Sequence, residues 1–129
     1  MKNALQLILA TLLFSSCVTL QKQRTKDWVS LYKSQAFMSC LKEENPTLLN
    51  NDISRAINFD VIGSSAANQA DSLGRSAYKT ILPSSILDLD HKKPVCNSCL
   101  DFYSSKELDE AAKKAHKEYL RYNRKVAKI

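Results

Sequence analysis

Apolar positions recur at helical spacing in four stretches of this chain. Between Thr25 and Glu44, Val29, Tyr32, Ala36 and Cys40 share one row, and Trp28, Leu31, Met38 and Leu41 widen it into the face of a buried helix. Asn45-Pro46 ends that pattern, because the proline ring crowds the α conformation of the residue before it. A second helix is predicted from about Pro46 to Phe59 or Ile62, with Leu49, Ile53, Ile57 and Val61 at i+4 and Gly63 closing it. A third, Ser65 to Leu82, places Ala66, Ala70, Leu73, Ala77 and Ile81 on one face, with Tyr78 and Leu82 alongside. Its alanines allow a close neighbour, and Pro83 stops it. The fourth opens on Ser104-Ser105-Lys106-Glu107, a capping box, and carries Leu108, Ala111, Ala112, Ala115, Tyr119, Tyr122 and Val126. No stretch alternates with period two for long enough to argue a sheet. The expectation is an all-α chain, a compact bundle of about four helices after an N-terminal signal sequence.

The start of the chain changes where that bundle is expected to work. Lys2 precedes an 11-residue apolar stretch, Ala4 to Phe14, broken only by Gln6 and Thr11. As a helix it spans roughly 17 Å at about 1.5 Å per residue, short of a hydrocarbon core of about 30 Å, so an export signal fits better than a membrane span. Ser15-Ser16-Cys17 resembles the lipobox of bacterial lipoproteins, in which the cysteine becomes the lipidated first residue, although Phe14 stands where leucine is usual. Residues 1–16 are read as a lipoprotein signal peptide, 17–26 as a polar tether, and 27–129 as one helical domain. Lipidation at Cys17 would anchor the chain stably, since two or more acyl chains achieve what one does not.

With 129 residues there is room for one domain. Only two glycines are present, so neither G-x-G-x-x-G nor a Walker loop can be built, and His91 and His116 lie too far apart for H-E-x-x-H. No cofactor is expected. Residues 1–112 carry 12 Lys/Arg against 12 Asp/Glu, and the whole formal excess of +6 falls in residues 113–129. Cations suit a helix C-terminus, and anionic headgroups or an acidic partner would also attract them. An exported chain rarely meets nucleic acid, so no nucleic-acid partner is expected.

Between the third and fourth predicted helices lies Pro83–Pro94, a connection long for a compact domain. It mixes Ile86, Leu87 and Leu89 with Asp88, Asp90, His91, Lys92 and Lys93. Two readings stand: a recognition loop, or an extra turn with Ile86 and Leu89 tucked onto the core.

Beyond Cys17, three cysteines remain: Cys40, Cys96 and Cys99. The spacing of Cys96 and Cys99 fits a thioredoxin-type motif, but no strand–helix context accompanies it. Leu100 after the second cysteine excludes c-type haem. A zinc site would need Cys40 and a histidine to converge on the pair. The structural reading is one long-range bridge from Cys40 to Cys99 or to Cys96, closing a loop of about 60 residues and contributing roughly 4 kcal/mol. For catalysis, His91 with Cys96 or Cys99 lacks a clear orienting group, and Asp88/Asp90 and Asp109/Glu110 read as surface charge. Binding is therefore expected rather than turnover.

Two stretches carry a resemblance. Cys99-Leu100-Asp101-Phe102-Tyr103-Ser104-Ser105-Lys106-Glu107-Leu108-Asp109 resembles the C-L-D-L-Y-x-S-x-E-L-D signature of the amidase immunity proteins of type VI secretion. Asp27-Trp28 through Ser39-Cys40-Leu41 is similar to that family's first helix; Cys96 and Ser104 depart from its pattern. The resemblance implies a helical periplasmic protein, often a homodimer, that occludes the cleft of a cognate peptidoglycan amidase toxin. It also favours Cys40–Cys99 as the bridge. Plugging a cleft calls for a preorganised protruding loop, since ordering on binding costs entropy. Ser84, Ser85, Ile86, Leu87, Asp88, Leu89, Asp90, His91, Lys92 and Lys93 are the expected toxin-binding loop. The competing expectations are a generic envelope lipoprotein acting as an interaction module, and a thiol–disulfide protein using Cys96 and Cys99.

Overall fold

The computed structural model describes the backbone of residues 2–89 and 91–128, and the side chains of 22–89 and 91–128. The signal sequence, Cys17 and Asp90 lie outside the residues whose side chains are described. Among the described residues there are five α-helices and no strand: α1 (Lys2–Glu44), α2 (Ser54–Ile62), α3 (Ser64–Lys79), α4 (Val95–Ser104) and α5 (Lys106–Val126). Residues 22–26 of the expected tether are already helical.

Helix α1 is the central rod and touches all four others. It buries Trp28, Tyr32, Ala36, Met38 and Cys40, the broad face its spacing predicts. Gln35 Nε2 donates to Asp71 at 2.8 Å, and Tyr78 Oη donates to Glu44 at 2.6 Å, so α3 runs parallel to α1. Lys33 lies 3.9 Å from Asp109, and the Trp28 and Tyr119 rings are 5.5 Å apart, so α5 runs antiparallel. One end of the bundle therefore holds the end of α1 and the α3–α4 connection. The other holds residue 22 and the C-terminus of α5.

The apolar core forms two clusters along α1. Trp28, Tyr32, Ala36, Ile62, Ala66, Ala67, Ala70, Leu108, Ala112 and Ala115 make the larger one. Cys40, Ile81, Val95 and Cys99 make the smaller, flanked by Phe37, Leu41, Ala77 and Tyr78. Beside them a polar network joins three helices. Asp71 of α3 accepts from Gln35 and Ser39 of α1 and pairs with Arg55 of α2 at 2.8 Å, while Asn58 donates to Gln35. Gln35, Ser39 and Asn58 are buried, and these bonds replace the water they lose.

Five expectations are corrected. The second helix begins at Ser54, not near Pro46. Residues 45–51 form turns, with Asn45 Oδ1 accepting from Thr47 and Asp52 Oδ1 from the Ser54 N–H. Asn and Asp side chains offer the backbone these local bonds in place of helical ones. Nor does the row Ile53, Ile57, Val61 face the core. Those residues are 70%, 50% and 46% exposed, and α2 buries Asn58 and Ile62 instead. Helix α3 ends at Lys79 rather than Leu82. The Thr80 and Ile81 N–H groups reach back only three residues, and Thr80 Oγ1 donates to the Ala77 carbonyl. Finally, α4 was not predicted, and it is separated from α5 by Ser105 alone. Ser105, not Ser104, caps α5, its Oγ accepting from the Leu108 N–H at 3.1 Å, which shifts the expected capping box by one residue.

Candidate functional site

The α3–α4 connection leaves the bundle between Ile81 and Val95, both buried on the smaller cluster. That cluster is covalently closed. Cys40 and Cys99 form a disulfide with Cα atoms 5.9 Å apart and a sequence separation of 59. Both feet of the loop thus rest on the bridge joining α1 to α4.

Local bonds fix the loop itself. The Ser84 N–H donates to the Lys92 carbonyl at 2.7 Å, closing the segment at its base. Ser84 Oγ accepts from the Ile86 N–H at 3.2 Å. Leu87–Leu89 form a 3₁₀ turn, in which the Leu89 N–H donates to the Ile86 carbonyl at 2.9 Å and the Lys92 N–H to the Leu89 carbonyl at 3.0 Å. His91 turns the chain with φ 69°, a left-handed conformation that histidine adopts more readily than bulkier residues. At the base, Lys93 Nζ sits 4.5 Å from the centre of the Tyr78 ring. The Glu44 carboxylate that accepts from Tyr78 Oη pushes that phenol's pKa upward.

What the loop presents is apolar at its tip. Leu87 is 94% exposed and Ile86 58%, with Leu82 and Leu89 also exposed. Ile86 and Leu89 therefore do not tuck onto the core. A turn does form there, but it faces solvent. Asp88, His91 and Lys92 are exposed beside it, Ser85 is exposed, and Ser84 and Lys93 are half-buried at the base. Asp90 lies outside the described residues.

Of the groups considered for chemistry, the fold brings together Cys40 and Cys99 and leaves Cys96 an exposed free thiol on the first turn of α4. No group of three or more His, Cys, Asp or Glu that could hold a metal converges among the described residues. Asp109 pairs with Lys113 at 2.5 Å on the helix surface, and that bond holds its carboxyl below the ordinary range. A groove of about 550 Å³ between the start of α3 and α5, lined by Ile62, Gly63, Ala66, Ala115, Tyr119 and Tyr122 among others, brings no cysteine or histidine to its walls. Sequence reading missed the Asp71 network, whose members are polar and carry no apolar period. It also missed the Ser84–Lys92 closure, for which prolines at both ends of the segment were the available signal.

Comparison of the chain with protein-family models, curated proteins and solved structures finds no match in any of the three. The fold and loop define a small disulfide-bridged helical bundle that presents a closed apolar turn.

Proposed function

We propose that this protein is an immunity protein that binds a cognate peptidoglycan amidase toxin of type VI secretion and blocks its substrate cleft, acting by occlusion and not by turnover. One observation carries the reading: a loop closed by the Ser84–Lys92 bond holds Leu87 almost fully in solvent above a disulfide-linked base. A closed loop loses little conformational entropy on entering a cleft, so more of its contact energy appears as affinity. Leu87, Ile86 and Leu89 would fill apolar walls, while Asp88 and His91 would meet polar groups at the cleft floor. The resemblance in residues 27–41 and 99–109 supports the same reading, as does the export signal that would place the chain where cell wall is cut. Anchoring through Cys17 on the periplasmic side of the cell envelope belongs to the proposal, as does a homodimer.

The test is co-expression and co-purification with the product of the neighbouring gene, followed by rescue of cells from lysis. The double substitution Asp88→Ala with Leu89→Ala should weaken inhibition at least about tenfold, as loss of a central contact does, with the helical signal unchanged. Inhibition at the wild-type level would move the contact surface away from the loop.

A further inference from the structure

The antiparallel run of α1 and α5 brings two basic segments, distant in sequence, to one end of the molecule. With Trp28 against His116 and Tyr119, the last turns of α5 lie beside the residues preceding Trp28 in α1. Residues 121–128 are all exposed and extend past the core. Arg121, Arg124 and Lys125, spaced i, i+3, i+4, share one face of α5, and Lys128 follows in the turn after it. Lys22, Arg24 and Lys26 of α1 are exposed at the same end. Among the described residues none of these seven pairs with a carboxylate, and Asp27 and Glu118 are the nearby acids in sequence. Helix capping accounts for one or two cations in a last turn, not for a stripe joined by a second helix.

We infer that this end is a docking surface for an anionic lipid bilayer. Three observations favour a bilayer over a nucleic acid or an acidic protein. Cys17, the proposed lipid anchor, lies five residues before Lys22, the first of these cations. Five residues reach at most about 18 Å even fully extended, so a bilayer holding that anchor lies close beneath the cations. Beside the cationic stripe, Tyr122 and Val126 are 68% and 51% exposed, an apolar and aromatic edge of the kind that settles at headgroup level. The opposite end carries the Ser84–Lys92 loop. From residue 22 to residue 44 α1 rises about 33 Å at 1.5 Å per residue. Docking by the basic end would thus hold the loop roughly that far from the lipid, facing away from it. The inference rests on the proposed anchor at Cys17 but not on the toxin.

Full-length protein is mixed with vesicles of pure phosphatidylcholine and with vesicles containing phosphatidylglycerol, at low and high salt. The N-terminal anchor contributes alike to both, so the difference reads the basic end. Binding to the anionic vesicles should exceed binding to the neutral ones, and 0.5 M salt should remove the excess. The variant R121Q/R124Q/K125Q/K128Q should lose roughly a hundredfold of that excess, at several-fold per cation near an anionic surface. K22Q/R24Q/K26Q should lose a similar share. Equal binding to both vesicle types, or an excess that survives both variants, would overturn the inference. Tighter binding to RNA of equal charge would assign the surface to nucleic acid instead. Inhibition of the amidase in detergent solution should be unchanged in both variants, so failure here and failure of the toxin reading are distinguishable.

Discussion

At Trp28 the bundle packs aromatic rings in a row, and the row contains a titratable member. Tyr32 lies 5.8 Å from Trp28 in a stacked arrangement, and His116 lies 4.9 Å away on the other helix. Burial pushes the Tyr32 phenol up to about 12, with the Glu118 carboxylate adding to it, so that hydroxyl stays protonated at physiological pH. Burial pushes His116 the other way, below its ordinary 6.5, because taking the ring out of water penalises its charged form. The unfolded chain therefore binds more protons here than the folded one as pH falls past 6.5. His116 contributes stability that is complete above the unfolded value and is lost as pH drops through the folded one. The melting temperature should fall between pH 7.5 and 5.5, and His116→Gln should reduce that slope. Asp109, held below the ordinary carboxylate range by its bond from Lys113, stays out of this window. An unaltered slope in the variant would place the proton uptake elsewhere. The aromatic positions were legible from helical spacing, but the polar network of buried Gln35, Ser39 and Asn58 around half-buried Asp71 was not. Hydrophobic periodicity registers such residues as solvent-facing, and only the convergence of three helices shows their shared bonds.

Helix α3 approaches α1 more closely than its alanines alone imply. A Cβ at Gly74 would sit 2.1 Å from the Ala36 carbonyl oxygen, 2.8 Å from Ser39 Cβ and 2.9 Å from the Cys40 nitrogen. Two of those atoms are backbone of a rigid helix, so neither can swing aside. Gly74→Ala gains helix propensity of about 1 kcal/mol, yet it must push the two helices apart at their tightest contact. We expect a net loss of about 3 kcal/mol, the upper part of the range for overpacking, seen as a lower urea midpoint. A stability equal to wild type would mean that α3 shifts freely on α1. The alanine face of α3 announced a close neighbour, but the glycine that sets the distance was legible only once the crossing was known. Helix α2 shows the opposite limit. Its i+4 row is regular, yet one short helix capped by Gly63 turns that row outward, because the Arg55–Asp71 pair and buried Asn58 fix the other side inward. Periodicity identifies a face; it does not say which partner, if any, covers it. Helix α4 went unread because Asn97, Ser98, Asp101 and Ser104 are weak helix formers, and packing of Val95 and Cys99 decides it.

Across the whole molecule, the Cys40–Cys99 bridge ties stability to the presentation of the loop. It spans 59 residues, so in a chain-entropy account it removes roughly 4 kcal/mol of freedom from the unfolded state. In the folded state it also fixes α4 against α1, and both feet of the Ser84–Lys92 loop rest on that junction through Ile81 and Val95. Cys96, three residues before Cys99, is exposed and bonds to neither. The two cysteines of the C-x-x-C spacing therefore have separate fates, which their spacing in sequence could not assign. Cys40→Ser should lower the melting temperature by well over 10 °C, given several degrees per kcal/mol in a domain of this size. Cys96→Ser should leave it within a degree or two, as surface substitutions do. The decisive comparison is made well below both melting points. If the bridge serves the loop as well as the fold, Cys40→Ser protein that is still fully helical should inhibit the amidase more weakly, because its loop feet are no longer held and ordering them costs affinity on binding. Wild-type inhibition by the folded variant would confine the bridge to stability and leave the loop's shape to the Ser84–Lys92 closure alone. Equal losses of stability in the two serine variants would instead point to exchange between Cys96 and Cys99 as partners of Cys40.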